Sequence, residues 1–315
     1  MTIPAPDKPD SAEVVIAAFY TFTRLSDTRT LKNRLLALCR DNTIKGTILL
    51  ASEGINGTVA GDRTGIDNLK MFLHADGRFQ ALEYKESHAV QIPFHRMKIK
   101  IKKEIVTMRM EDLDPGSVTG IHVGAARWNA LLQDPDVLVL DVRNAYEFDI
   151  GTFANAVSSA LKRFTDFPAY VQQEINPRDN PKIAMFCTGG IRCEKASAWM
   201  LKQGFKEVYQ LKGGILRYLE EVHPEESLWQ GECFVFDSRI AVNDLLQTGQ
   251  YQQCYSCRMP LSPADRQSEK FEQGVSCPAC HDSLTPARKA SLRERQRQVE
   301  IAASRDMLHV GAVPS

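Results

Sequence analysis

Between Val123 and Glu221 the chain alternates helix-length amphipathic stretches with short, largely apolar runs. Val123–Leu132 reads as a helix. Val137–Leu140 reads as a strand that ends in Asp141. Asp166–Glu174 is helical, and Lys182–Phe186 is a strand that ends in Cys187. Glu194–Lys202 is helical, Val208–Leu211 is a strand, and Ile215–Glu221 is again helical. Apolar strands alternating with helices predict a parallel sheet covered on both faces. Such sheets carry their chemistry at the carboxyl ends of the strands.

That rule directs attention to Cys187-Thr188-Gly189-Gly190-Ile191-Arg192. A cysteine closes a buried strand, a short loop follows, and a helix begins beyond it. Amides of such a loop can curl inward as an anion nest, and the helix N-terminus adds partial positive charge. Gly189 and Gly190 permit the backbone angles of a curl, and Arg192 adds a cation. All three effects favour a thiolate at Cys187. The spacing is Cys-x4-Arg, one residue tighter than the Cys-x5-Arg loop of cysteine-dependent phosphatases, and it suits a sulfur-sized species such as a persulfide. Cys193 follows directly, either as a resolving thiol or as a packed helix residue.

Upstream, Val14–Phe22 and Ile44–Ala51 read as strands, and Glu53-Gly54-Ile55-Asn56-Gly57 reads as a turn leading into a strand at Thr58–Ala60. Asp27–Arg40, with Asp27 placed to cap it, and Arg63–Ala75 read as helices. Ala81–Tyr84 or Met97–Met108 supplies the next strand. The order β-α-β-β-α-β is that of a ferredoxin-like α+β sandwich. It spans residues 1–118 and ends at a linker with Pro115 and Gly116. The α/β domain occupies 124–222, and a polar, Cys-rich region with a basic tail occupies 232–315.

In that last region Cys254-x2-Cys257 and Cys277-x2-Cys280 are separated by 19 residues. Two such knuckles predict a zinc-ribbon-like site with four thiolates. His281 stands beside it as a substitute ligand. A closed four-sulfur shell leaves no open position, so the predicted zinc is structural. Free thiols in a tail and an oxidoreductase dithiol are the alternatives. His223-Pro224-Glu225 is read as an end cap of the α/β domain and not as a metal site.

Eight cysteines are too few for a disulfide scaffold, and Met1–Glu13 lacks a signal-peptide pattern. No apolar run approaches the ~20 residues that span a bilayer. The expectation is a cytoplasmic protein with reduced thiols and no membrane partner.

Two resemblances add to this reading. Asp141-Val142-Arg143 with Glu147, then Gly151-Thr152-Phe153-Ala154-Asn155-Ala156, the Cys187 loop, and Leu211-Lys212-Gly213-Gly214 together resemble the rhodanese family. That resemblance implies structural and rim charges at Asp141, Arg143 and Glu147. Thr152, Ala154 and Asn155 replace the family's usual His, Pro and second Gly, which leaves the local turn open. A longer resemblance rests on Leu49–Gly61 (Leu-Leu-Ala-Ser-Glu-Gly-Ile-Asn-Gly-Thr-Val-Ala-Gly) and Phe186–Lys195 (Phe-Cys-Thr-Gly-Gly-Ile-Arg-Cys-Glu-Lys). These are similar to the hallmark blocks of the oxygen-dependent tRNA uridine hydroxylases. The resemblance implies 5-hydroxyuridine formation at the wobble position of tRNA, molecular oxygen as co-substrate, and a required cysteine at Cys187. It also calls for an electron donor, which no motif identifies. No redox cofactor motif is visible, and nothing sets the oligomeric state. By chemistry alone Cys187 points to sulfur transfer through a persulfide, or to thiolate addition at C6 of a uracil ring. A non-catalytic RNA-binding scaffold is the third reading.

An RNA substrate needs cations. Lys98, Lys100 and Lys102 alternate with Met97, Ile99 and Ile101, which puts the lysines on one face of a strand. Arg288, Lys289 and Arg293 lie on a basic helix. Both sets are candidate RNA contacts, and ordinary solvated faces are the alternative. The chain holds 39 basic and 39 acidic residues. The balance is a sum of separated patches, because Glu111–Asp149 and Leu219–Asp237 are strongly acidic. The acidic stretches predict where tRNA does not touch.

Overall fold

The computed structural model describes residues 14–80, 82–110 and 112–305. The proline-bearing segment 1–13, Ala81, Glu111 and residues 306–315 lie outside the described residues. The chain divides into two compact units, with the division between Ile105 and Val106.

The first unit runs β1 (Val14–Phe22), α1 (Thr28–Asp41), β2 (Lys45–Ala51), β3 (Gly54–Gly61), α2 (Arg63–His74), β4 (Tyr84–Ala89) and β5 (Met97–Ile101). Its sheet has the order β4-β1-β3-β2-β5. The first four strands give the expected ferredoxin-like pattern. The sequence reading offered Ala81–Tyr84 or Met97–Met108 for one further strand; the structure starts β4 only at the last residue of the first region, Tyr84, and forms β5 at the start of the second. β4 pairs antiparallel with β1 at one edge, and β5 pairs parallel with β2 at the other. Leu31, Leu35 and Cys39 form the buried stripe of α1, and Ile66, Leu69 and Leu73 that of α2. Each such leucine contributes roughly 1.5–3 kcal/mol by burial.

Asp27 does sit at the N-cap of α1, but its side chain caps no amide. Its carboxylate instead accepts from Arg78, which Asp76 also holds. The pairing lowers the pKa of both Asp27 and Asp76. The hallmark block at the β2–β3 turn also has a structural task. Glu53 Oε1 accepts from the Ile105 amide at 2.7 Å, and Asn56 Nδ2 donates to the Ile105 carbonyl at 3.0 Å. One turn thus satisfies both backbone groups of the unit's last residue.

The second unit continues with β6 (Ile121–Val123), α3 (Ala125–Gln133), β7 (Val137–Asp141), α4 (Ala145–Phe148), β8 (Gly151–Phe153), β9 (Val157–Ser158), α5 (Phe167–Glu174), β10 (Lys182–Phe186), α6 (Ile191–Lys202), β11 (Glu207–Leu211) and α7 (Gly214–Glu221). The sheet order is β6-β11-β10-β7-β9, and every pairing is parallel. β10 shows why the strand interiors are largely apolar. Ile183 and Met185 join one core with Phe167, Val171 and Met200 of α5 and α6. Ala184 and Phe186 join the other with Trp128, Ile215 and Tyr218 of α3 and α7. Successive side chains point to opposite faces, so both sets must be apolar.

Two boundaries differ from the sequence expectation. Met108 is buried in the core with α5 and α6, and Val106, Met110 and Leu113 pack on it. Residues 106–113 therefore belong with the α/β unit, where their apolar side chains find cover. Beyond residue 222, β12 (Trp229–Gly231) pairs with β8, and β13 (Cys233–Phe234) with β14 (Ala241–Val242). Trp229, Cys233, Val235 and Val242 join the core under α3 and α7. The chain then forms β15 (Gln252–Gln253), β16 (Pro260–Leu261) and α8 (Pro286–Ala303) around the paired cysteines.

Candidate active site and candidate metal centre

Cys187 leaves the end of β10 with no exposed surface. Gly190 takes φ +96°, a value L residues avoid, and its amide donates to Cys187 Sγ at 3.1 Å. Gly189 stays at ordinary angles, so one glycine makes the curl. The loop carbonyls are turned outward and held by α7: Ile215 N donates to Cys187 O at 3.0 Å, and Leu216 N to Thr188 O at 3.1 Å. Gly214 makes that approach possible. A Cβ there would lie 2.5 Å from Cys187 O and 2.7 Å from Gly190 N.

Arg192, in the first turn of α6, is buried and reaches back to Glu147 on α4. Its two terminal nitrogens donate to Glu147 Oε1 and Oε2 at 2.7 and 2.8 Å. Thr188 Oγ1 joins the same carboxylate at 3.3 Å. The sequence reading placed Asp141, Arg143 and Glu147 as structural and rim charges, but none is at a rim. Arg143 chelates Asp141 through Nε at 2.9 Å and also donates to Gly151 O. All three side chains are buried, which pairing alone makes affordable. Thr152, in place of the usual histidine, donates to Asp141 Oδ2. Asn155 takes φ +63°, a left-handed angle that asparagine tolerates, so the altered turn forms without its second glycine.

Burial alone would push the Cys187 thiol up. A hydrogen bond from the Cys193 side chain, the Arg192 charge and the amides of Cys193 and Arg192 outweigh it and bring the value down to about 6. Cys193 goes the other way: burial and the neighbouring Cys187 hold its proton well above the ordinary range. Cys193 is therefore a neutral donor to the thiolate in this state. A pH titration of thiolate absorbance, taken as wild type minus Cys187→Ser, is expected to show a midpoint near 6. Cys193→Ala should raise that midpoint and Cys193→Ser should hold it, because only the hydroxyl retains a donor. Equal midpoints in both variants would remove this role from Cys193.

Sequence reasoning missed Phe236. It is 64% exposed, and the Arg192 guanidinium lies 5.8 Å from its ring centroid. Its signal was the alternation Cys233-Phe234-Val235-Phe236 ahead of Asp237-x-Arg239.

The four cysteines of the C-terminal region converge. Their sulfurs lie within 4.8 Å of one another, with contacts of 3.6, 3.7 and 3.9 Å. A tetrahedron with Zn–S bonds of about 2.3 Å has edges of about 3.8 Å, so Cys254, Cys257, Cys277 and Cys280 fit a zinc ion. His281 is occupied elsewhere, against Asp282 at 2.9 Å and Lys289 at 3.1 Å, and is no ligand. The local core is small: Leu261 with the buried cysteines, and Phe271 and Leu284 at its edge. About one equivalent of zinc is expected by elemental analysis, and Cys277→Ser should lose it together with the local thermal transition. Full retention of zinc in that variant would contradict the four-sulfur site.

The cationic candidates fall into two groups. Lys98, Lys100 and Lys102 belong to the first unit. Lys98 and Lys100 are exposed on edge strand β5 while Ile99 is buried; Ile101, expected inward, is exposed at the strand's end. In the second unit Arg288 is exposed on α8, whereas Arg293 is held by Glu272 at 2.6 and 2.7 Å and Lys289 by His281.

A parallel sheet with a cysteine loop at the end of a central strand defines a rhodanese-like enzyme domain, of the sulfur-transferring and redox type, and residues 125–221 match the rhodanese-like domain. Residues 14–105 match the UPF0176 acylphosphatase like domain. The chain thus joins a UPF0176 acylphosphatase like domain to a rhodanese-like domain. Similar solved structures include a rhodanese-like domain from Anabaena sp. (19% identity, 35% of this chain and 78% of that one, TM-score 0.29). Another is a rhodanese-related protein from Thermoplasma volcanium (26% identity, 33% of this chain and 95% of that one, TM-score 0.26). A third is a protein of unknown function from Rhodopseudomonas palustris, described as a possible tyrosine phosphatase (20% identity, 34% and 83%, TM-score 0.29). Among the described residues no helix is long and apolar enough to cross a membrane.

Proposed function

We propose that the protein hydroxylates C5 of the wobble uridine of tRNA, with molecular oxygen as co-substrate. The observation that carries this reading is the Cys187 thiol, brought down to about 6 inside a chain of UPF0176-plus-rhodanese architecture. Near neutral pH the group is a thiolate, and burial shields it from oxidants in bulk solution. C5 of uracil is a poor nucleophile. Addition of the Cys187 thiolate to C6 moves an electron pair toward C5 and O4 and makes C5 electron-rich. Oxygen bonds to C5 as a hydroperoxide. A two-electron donor with two protons reduces it to the hydroxyl and water. Loss of the C5 proton then expels the thiolate from C6 and restores the aromatic ring.

Within this scheme Arg192 and the Gly190 amide hold the sulfur as an anion before attack and after release. The exposed Lys98, Lys100, Lys102 and Arg288 are among the cations available for phosphates; Lys289 and Arg293 are already engaged. A tRNA substrate places the protein in the cytoplasm. Purified protein, tRNA, a dithiol reductant and heavy-isotope oxygen gas form the test. Nucleoside mass spectrometry should find 5-hydroxyuridine carrying one heavy oxygen. Unchanged uridine under these conditions, with cyanide-accepting sulfur transfer from thiosulfate, would favour the second reading. That reading is a Cys187 persulfide carrier, and the tight Cys-x4-Arg loop supports it.

A further inference from the structure

The chain that follows α7 returns to the cysteine loop and displays one aromatic ring beside it. Cys233 and Val235 point into the core under α3 and α7. Phe234 points the other way and is covered by Ile150 and Ile240, with Tyr146 against it. Phe236 continues that second face and is left uncovered. The rings form a ladder: Tyr146 to Phe234 at 5.2 Å and Phe234 to Phe236 at 5.0 Å, both edge-to-face. Tyr146 sits on α4 next to Glu147, the residue that holds Arg192. Phe236 in turn lies over Arg192.

The turn that presents Phe236 is a built one. Asp237 accepts from the Arg239 amide at 3.0 Å and from its guanidinium at 3.0 and 2.7 Å. Both side chains are buried, at 2% and 8% exposure. Val235 N donates to Ile240 O at 2.9 Å, and Ile240 adopts φ +66°. A buried ion pair and a left-handed residue are costly devices for holding one phenyl ring in water. The ring offers the area of a single base. A stable protein partner would need roughly 800 Å².

We propose that Phe236 is the stacking platform for the base that approaches Cys187, an RNA pyrimidine. The inference rests on the uridine reaction proposed above, and it adds the group that holds the base. It also revises the expectation that RNA avoids Leu219–Asp237, because Arg239 neutralises Asp237, the acid nearest the ring in sequence.

The test is a binding cycle on the full-length protein. The probes are an anticodon stem-loop with uridine at the wobble position and the same stem-loop abasic there. Phe236→Ala should weaken binding of the uridine stem-loop by about 5- to 150-fold, the range of a lost base–aromatic stack. Phe236→Tyr should restore it. On the abasic stem-loop Phe236→Ala should cost nothing further, since the partner is already gone. The same samples are assayed for 5-hydroxyuridine. Loss of binding coupled to the base, with no product from any variant, upholds the platform and removes the reaction. Product formation with equal binding by wild type and Phe236→Ala overturns the platform and leaves the reaction standing. An equal penalty on both stem-loops overturns it too, as does a wild type that binds neither.

Discussion

Cys187→Ala is expected to lower 5-hydroxyuridine formation on tRNA by at least about a thousandfold, as removal of a covalent nucleophile does elsewhere. Cys187→Ser is expected to do nearly the same, which makes it the more informative variant. Serine preserves the volume and still accepts from the Gly190 amide, so the loop can close around it. Its hydroxyl does not ionise near pH 6, where the cysteine does. A loss in both variants therefore reports the missing thiolate and not a collapsed loop. Single-turnover assays with saturating tRNA, read by nucleoside mass spectrometry, separate this from weaker binding. Activity within tenfold of wild type in Cys187→Ser would remove Cys187 from the chemistry and with it the C6-addition route.

The parts of the fold that could be read from the residues are those in which burial dictates residue type locally. β10 had to be apolar from Ile183 to Phe186 because its alternate side chains enter two different cores. The cysteine loop was legible because a glycine with φ +96° and an arginine five residues after the cysteine leave a fixed trace in sequence. Other features depend on partners far along the chain. Asp27 looked like a cap because its position is a cap position; Arg78, 51 residues away, takes its carboxylate. The resemblance places Asp141, Arg143 and Glu147 near the loop as structural and rim charges; their burial rests on the Asp141–Arg143 and Glu147–Arg192 pairs, the second of which spans 45 residues. Met108 and Leu113 precede Pro115 and Gly116, so the turn signal placed the boundary after them, whereas their burial places it before. Phe236 shares the alternation of Cys233-Phe234-Val235-Phe236, which does not tell a covered ring from an exposed one. One exposed ring becomes conspicuous only when the guanidinium beneath it is visible.

Glu147→Ala is expected to cost about 3–5 kcal/mol of stability, because it leaves a buried guanidinium without its counter-charge. In a unit of about two hundred residues each kcal/mol lowers Tm by about 2–4 °C, so the melting point should drop by roughly 6–20 °C. Arg192 has no second carboxylate at hand: Asp141 is taken by Arg143, and Thr188 offers only a hydroxyl at 3.2 Å. Glu147→Gln keeps the volume and one acceptor, and should fall between the two. Burial favours the neutral acid at Glu147, but the Arg192 charge and hydrogen bonds, then Arg143, overcome it and hold its pKa below the ordinary 4.5. With a depressed value in the folded state, the stabilisation is fully present above about 4.5 and lost as pH falls through the folded value. The stability gap between wild type and Glu147→Gln should therefore be constant from neutral pH to about 5 and close at lower pH. Calorimetric melts of both proteins across that range measure it. The same substitution should move the Cys187 midpoint downward, since Arg192 then faces the sulfur with its charge unopposed. Stability and thiolate acidity would thus move apart in one variant, an outcome that a general loosening of the loop cannot produce. A gap that widened toward acid pH, or a midpoint that rose, would mean that Glu147 does not act through Arg192.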